Sequence, residues 1–119
     1  MHELSIAQNI VGIVRESVSP DELADVRVVK VRLGVLSGVA ADSLDFCFMA
    51  ILADTPLSAA KLKFEHVPFI VHCPRCVKSF TNEVGMVVCP DCGNTATRVL
   101  SGRELQVMEI ELESEEKII

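Results

Sequence analysis

Two cysteine pairs, Cys73-Pro74-Arg75-Cys76 and Cys89-Pro90-Asp91-Cys92-Gly93, stand twelve residues apart. No other feature restricts the folding of this chain so strongly. Each C-x2-C segment can turn tightly enough to aim two sulfurs at one ion, and Gly93 supplies the unhindered backbone that such a knuckle tends to need. Four thiolates at about 2.3 Å complete a tetrahedral shell around zinc and leave no open position for a substrate, so the site reads as structural. Zinc is the expected ion, with rubredoxin-like iron as the alternative that four thiolates also accept. The five cysteines come without a signal-peptide pattern, which points to metal or free thiols instead of a disulfide framework.

Between the pairs, Val77-Lys78-Ser79-Phe80 and Met86-Val87-Val88 read as two short strands joined around Asn82 and Gly85. So small a ribbon has almost no core, and metal bonds must supply much of its folding free energy. His66 and His72 lie close enough in sequence to compete as ligands, but their ordinary reading is that of spectators. Cys47 falls in an apolar helical run, where a small buried hydrophobe is expected.

The flanking sequence has the patterning of a packed domain. Leu4, Ala7, Val11, Val14 and Val18 recur at helical spacing, so residues 3–18 are expected to form an amphipathic helix. Ser19-Pro20-Asp21-Glu22 closes it and opens a single turn with the pattern of a capping box. Val26 to Leu33 is a β-branched strand whose apolar phase slips between Val28 and Val29, suggesting a bulge or burial on both faces. Gly34 to Gly38 is a turn. A second helix is expected over 42–54, with Asp42 as N-cap and Leu44, Cys47, Phe48, Ile51 and Leu52 inward. Residues 61–67 alternate, with Leu62 and Phe64 inward, and 103–113 form a last strand. The order helix, strand, helix, strand, cysteine module, strand makes this an α+β chain. A scaffold domain of residues 1–70 and 101–119 then carries an inserted zinc ribbon at 71–100.

At 119 residues with 50% apolar content and a mean hydropathy of +0.39, a packed core is feasible and one domain with a small module is expected. The longest apolar stretch, Phe46 to Ala53, falls far short of a membrane span, and no basic leader precedes it. A soluble, cytoplasmic protein without a membrane partner is expected. The net charge of −6 and the 4% aromatic content argue against nucleic acid as partner.

The amino terminus offers a second metal site. A free α-amine on Met1, the His2 amide nitrogen and His2 Nδ1 can close two chelate rings on one ion, an arrangement that requires histidine at position two. Planar nitrogen donors suit Ni(II) or Cu(II) better than zinc. Met1 is expected to be retained, since its removal requires a small second residue. The position opposite the His2 amide can be filled by the Glu3 carboxylate, water or a partner's donor. The plain reading of His2 is a solvated terminal residue, and the remainder of the chain favours the chelate. Because His2 must be deprotonated to bind, nickel affinity should fall in mild acid.

Met1-His2-Glu3-Leu4-Ser5, Gly34-Val35-Leu36-Ser37, Ser43-Leu44-Asp45-Phe46, Leu62-Lys63-Phe64-Glu65, the paired cysteines and Gly102-Arg103-Glu104-Leu105 occur in this order along nearly the whole chain. In these residues the chain resembles the HypA/HybF family of hydrogenase maturation proteins. The resemblance implies a nickel metallochaperone, not an enzyme, that helps insert Ni(II) into the large subunit precursor of [NiFe]-hydrogenase together with the GTPase HypB. It further implies two helices packed on a three-stranded antiparallel sheet, a transferable nickel at Met1, His2 and Glu3, and a structural zinc at Cys73, Cys76, Cys89 and Cys92. Asp54 stands where that family commonly has glycine.

Two other classes remain open from residues alone. One is a zinc-ribbon adapter for a protein or nucleic acid, without transferable metal; the other is a rubredoxin-like electron carrier. An enzyme fits least, since metal consumes the paired cysteines and no Ser-His or Cys-His arrangement replaces them.

Overall fold

The computed structural model describes residues 2–119; Met1 lies outside the described residues. Helix α1, Glu3–Ser17, buries Ala7, Ile10, Val11 and Val14 along one stripe. It ends at Val18, whose backbone is extended, and Ser19 is extended too, as the residue before a proline is pushed out of helical conformation. A 3-10 turn, Pro20–Asp25, follows with proline at its first position. The Glu22 carboxylate accepts the Ser19 N–H at 2.9 Å, the reciprocal bond expected of a capping box.

Strand β1, Val26–Gly34, leads through a turn to helix α2, Ala41–Leu52. Six further strands follow, the first five being β2, Lys61–Val67; β3, Ile70–Cys73; β4, Lys78–Thr81; β5, Arg98–Ser101; and β6, Leu105–Leu112. A three-residue strand β7, Glu116–Ile118, ends the fold. The architecture is α+β.

Two compact units emerge from the packing. One comprises the chain up to Arg32, Val39–Glu65 and Gln106–Ile119; the other comprises Leu33–Gly38 and His66–Leu105. In the first, α1 and α2 pack on a sheet of order β2-β1-β6-β7. The expected three strands are β2, β1 and β6, and β7 adds a short fourth at the edge, pairing antiparallel with β6 through Glu109↔Ile118 and Glu111↔Glu116. Contacts of Arg27 with Glu113 and of Lys30 with Glu109 run in opposite senses along β1 and β6, so that pair is antiparallel too. Along β1 and β2, Arg32 meets Glu65, and the Val35 N–H donates to Val67 C=O just beyond. Those two strands advance together, and the connection through α2 is long enough to be the crossover that such neighbours need.

The core explains the phase slip read in β1. Val26, Val29, Val31 and Leu33 are buried while Val28 is only half-buried, so alternation toward the helices begins at Val29. Leu44, Phe48 and Leu52 anchor α2, each 2% exposed or less. Fully burying side chains of this size contributes about 1.5–3 kcal/mol each. Cys47 and Ile51 pack at the margin of that core, as do Leu62 and Phe64 of β2.

The start of α2 departs from expectation. Its N-cap is Ala40, which has no side chain to bond the first turn, and Asp42 lies within the helix. There its charge still favours the positive end of the helix dipole. The Ala40 N–H instead donates to Glu3 Oε2 at 3.3 Å. Asp54, just past α2, adopts φ +62°. This is the left-handed region that suits glycine and that aspartate tolerates better than most residues, which accounts for its standing where glycine is common.

In the second unit, β3 is the central strand of a sheet of order β4-β3-β5, antiparallel to both neighbours. The expected second strand at Met86–Val88 does not form. Asn82 Oδ1 accepts the N–H groups of Val84 and Met86, and Asn82 Nδ2 donates to Met86 C=O. The side chain thus takes both backbone groups of Met86, and Thr97 Oγ donates to Val87 C=O, so these groups bond to side chains and not to a ladder. β4, which the expected hairpin would have paired with that strand, pairs instead with β3, and β5 takes the other edge of β3.

Candidate metal centre

Each cysteine pair presents its sulfurs from a knuckle. Cys73 ends β3 and Cys76 lies in the turn before β4. In the second knuckle, the Gly93 N–H donates to Cys89 C=O at 2.9 Å and the Cys89 N–H to Asn94 C=O at 3.0 Å. Cys73 and Cys89 are buried; Cys76 and Cys92 are half-buried.

The four Sγ atoms lie within 4.8 Å of one another, with Cys73 and Cys92 3.7 Å apart and Cys76 and Cys89 3.9 Å apart. A tetrahedron with metal–sulfur bonds of about 2.3 Å has sulfur–sulfur edges of about 3.8 Å. Two opposite edges of the cluster therefore already have the spacing of a tetrahedral thiolate site, the others lie within 4.8 Å, and this is the one metal-capable group of three or more side chains among the described residues.

Electrostatics around the cluster are uneven. The Cys73 thiol is lowered to about 6, chiefly because the Cys76 N–H donates to its sulfur; Asn94 Nδ2 adds a second bond at 3.7 Å. Cys76 is pushed up to about 12, first by its sulfur contact with Cys92 and then by burial and the other sulfurs. Crowded thiols cannot all ionise together without a cation. A divalent ion replaces their protons and reverses that penalty. Lys78 Nζ lies 3.3 Å from Asp91 Oδ2, joining the two knuckles, and its ammonium is held above its ordinary value by that carboxylate.

Asn94 is the site residue that sequence reading missed. Its Nδ2 reaches Cys73 Sγ, its Oδ1 accepts the Ala96 N–H, and its carbonyl accepts the Cys89 N–H. The available signal was an amide residue two positions past Cys92, at the end of a knuckle. His72 does not join the cluster; its Nδ1 faces Ser79 Oγ at 3.5 Å. His66 is also outside any such group among the described residues. Cys47 lies on α2, in the other unit.

At the amino terminus, His2 is exposed and serves as the N-cap of α1, with its carbonyl accepting the Ile6 N–H at 2.9 Å. The Glu3 carboxyl is held below the ordinary carboxylate range, first by the Ala40 N–H. A mostly apolar groove of about 480 Å³ opens beside it, lined by Glu3, Leu4, Asp42, Ser43, Phe46 and Cys47. Met1 lies outside the described residues.

An α+β domain joined to a ribbon with a preformed four-thiol cluster defines a metal-binding protein. A family model described as hydrogenase/urease nickel incorporation, metallochaperone, hypA matches residues 1–112. A hydrogenase maturation factor HypA from Geobacter metallireducens is 42% identical over 113 residues, covering 95% of this chain and 100% of the relative. One from Chloroflexus aggregans is 39% identical over 112 residues, covering 93% and 98%. The fold is similar to the solution structure of the Ni metallochaperone HypA from Helicobacter pylori, with a TM-score of 0.64, 19% identity, and coverage of 94% of this chain and 97% of that one. The chain belongs to the HypA family of hydrogenase maturation nickel metallochaperones, which is not an enzyme family.

Proposed function

We propose that this protein binds Ni(II) at its amino terminus and delivers it to the large subunit precursor of [NiFe]-hydrogenase in the cytoplasm, working with the GTPase HypB. Nickel is cargo here, and its site is the Met1-His2-Glu3 segment. The Met1 amine, the His2 amide nitrogen and the His2 imidazole are the donors. A structural zinc at Cys73, Cys76, Cys89 and Cys92 is the resident metal. The nickel-binding domain is residues 1–70 with 101–119, and the zinc ribbon is residues 71–100.

The observation that carries this reading is the family match beginning at residue 1, so that it includes the terminal Met-His-Glu. The exposure of His2 supports it, because a transferable ion needs an accessible site with room for an incoming ligand. The thiol spacing supports the division of labour, since a closed four-sulfur shell suits retention and an incomplete nitrogen set suits release.

The test is nickel titration of the zinc-loaded protein with an untagged amino terminus. One nickel per chain is expected for the wild type and none for His2→Ala, with zinc content equal in both. One residue added ahead of Met1 should also weaken binding strongly, because it converts the α-amine into an amide. A zinc-ribbon adapter would show no stoichiometric second site. Equal nickel affinity in native and extended proteins would place the ion on other side chains.

A further inference from the structure

We infer that the Glu3 carboxylate is a clamp joining the start of α1 to the start of α2, and that it serves the nickel site as a positioning residue instead of a metal donor. The inference rests on the proposed amino-terminal nickel site and assigns Glu3 its part there.

The argument begins with what α2 lacks. A helix leaves its first N–H groups without intrahelical partners, and a side chain at the N-cap or at the third helical position usually supplies the acceptors. Ala40 has no side-chain oxygen, and the third helical position is Ser43 where a capping box would have glutamate. Glu3 comes from another helix to take that role, with Oε2 3.3 Å from the Ala40 N–H. Its charge sits at the positive end of α2, where an anion is favoured.

The other half concerns α1. His2 has helical backbone angles, φ −88° and ψ −3°, and its carbonyl is committed to the Ile6 N–H. Every proposed nickel donor lies on the other side of that carbonyl: the amine, the His2 amide nitrogen and the His2 imidazole. The chain divides at the His2 carbonyl, with chelating atoms before it and a helix after it, and Glu3 is the first residue of that helix. Anchoring Glu3 to α2 fixes the base from which the chelate extends. Coordination would pull the carboxylate away from the Ala40 N–H or divide it between the two, so the clamp competes with ligation. The position opposite the His2 amide then falls to water or to a donor from the receiving protein, which gives the recipient a place to begin ligand exchange.

Glu3→Gln and Glu3→Ala separate the two roles, because glutamine retains an acceptor for Ala40 but no carboxylate for the metal. In zinc-loaded, nickel-free protein, Glu3→Ala should speed exchange of the Ala40 amide by about fivefold or more, whereas Glu3→Gln should leave it near wild type. On nickel addition, Glu3→Gln should keep wild-type affinity and ligand-field spectrum, and Glu3→Ala should lose about tenfold in affinity. Unchanged Ala40 exchange in Glu3→Ala would overturn the clamp. A Glu3→Gln protein with normal Ala40 protection but a changed nickel spectrum and weakened affinity would identify the carboxylate as a ligand and overturn the positioning role. Ala40 exchange reads the clamp without nickel, so absence of nickel binding by the wild type would count against the proposed function separately.

Discussion

Val77 and Gly93 hold the same left-handed backbone conformation, φ +54° and +73°, each one residue past the second cysteine of its pair. The two knuckles turn alike, but one is closed by glycine and the other by a β-branched residue for which this region is a steric outlier. Left-handed backbone costs an L-residue roughly 1–2 kcal/mol. Val77 recovers little of that by packing, since it is 78% exposed.

Val77→Gly should therefore stabilise the zinc-loaded ribbon. The gain should be about 1 kcal/mol, after the greater freedom of glycine in the unfolded chain is subtracted. Thermal unfolding of wild type and variant measures it; a lower Tm for Val77→Gly would show that the left-handed valine is not strained.

Asn94→Ala should weaken zinc binding by about tenfold, the usual cost of removing a side chain that bonds to a metal ligand. The variant loses the donor to Cys73 Sγ and the acceptor for the Ala96 N–H. Competition against a chelator of known affinity would decide, and unchanged zinc retention would remove Asn94 from the site.

Cys76→Ala or Cys89→Ala should lose zinc and loosen residues 73–92, while α1, α2 and the β2-β1-β6-β7 sheet stay folded. The ribbon depends on metal bonds, whereas the other unit has its own buried cluster of Ile10, Val29, Val31, Leu44, Phe48 and Ile110. Amide exchange across the chain tests both halves. Full protection of the ribbon after zinc loss would refute a structural role for the metal.

Acid should act through Glu22. Its carboxyl is held below the ordinary value, first by the Ser19 N–H and then by Lys117, whose Nζ lies 3.2 Å from Oε1. A carboxyl lowered by folding contributes stability that is present above its unfolded pKa of about 4.3 and is lost as pH falls through the folded value. Glu22→Gln should thus be less stable than wild type near pH 6, with the gap closing below about pH 4.3. A gap that stays constant through that range would exclude the carboxylate as its source.

Much of the first unit was legible in residue pattern. The helix read over 3–18 is Glu3–Ser17, the strand read over 61–67 is Lys61–Val67, and the helix read over 42–54 is Ala41–Leu52. These elements bury a continuous stripe or alternate cleanly, so periodicity carries their signal. β3, β5 and β7 are three or four residues long, too short for a period to register, and pairing alone defines them. Spacing correctly brought the four cysteines together, but Asn94 became visible only once the chain had folded around Cys73.

Two segments carrying the family resemblance, Gly34 to Ser37 and Gly102 to Leu105, meet in space. The Gly34 N–H donates to Glu104 C=O and the Leu36 N–H to Gly102 C=O. A Cβ at Gly34 would stand 2.2 Å from the carbonyl of Gly102. Sequence order separates these segments by more than sixty positions and gave no sign that one packs on the other.

Cys73 is the last residue of the only strand in the ribbon that pairs on both sides. Its sulfur is the one lowered to about 6, whereas Cys76 stays protonated up to about 12. An incoming soft cation therefore meets one sulfur held on a paired strand and favoured as the thiolate by N–H donors, and another in the turn that gives up its proton less readily. The two ends of the first knuckle are unequal as ligands, although the sequence writes both as cysteine.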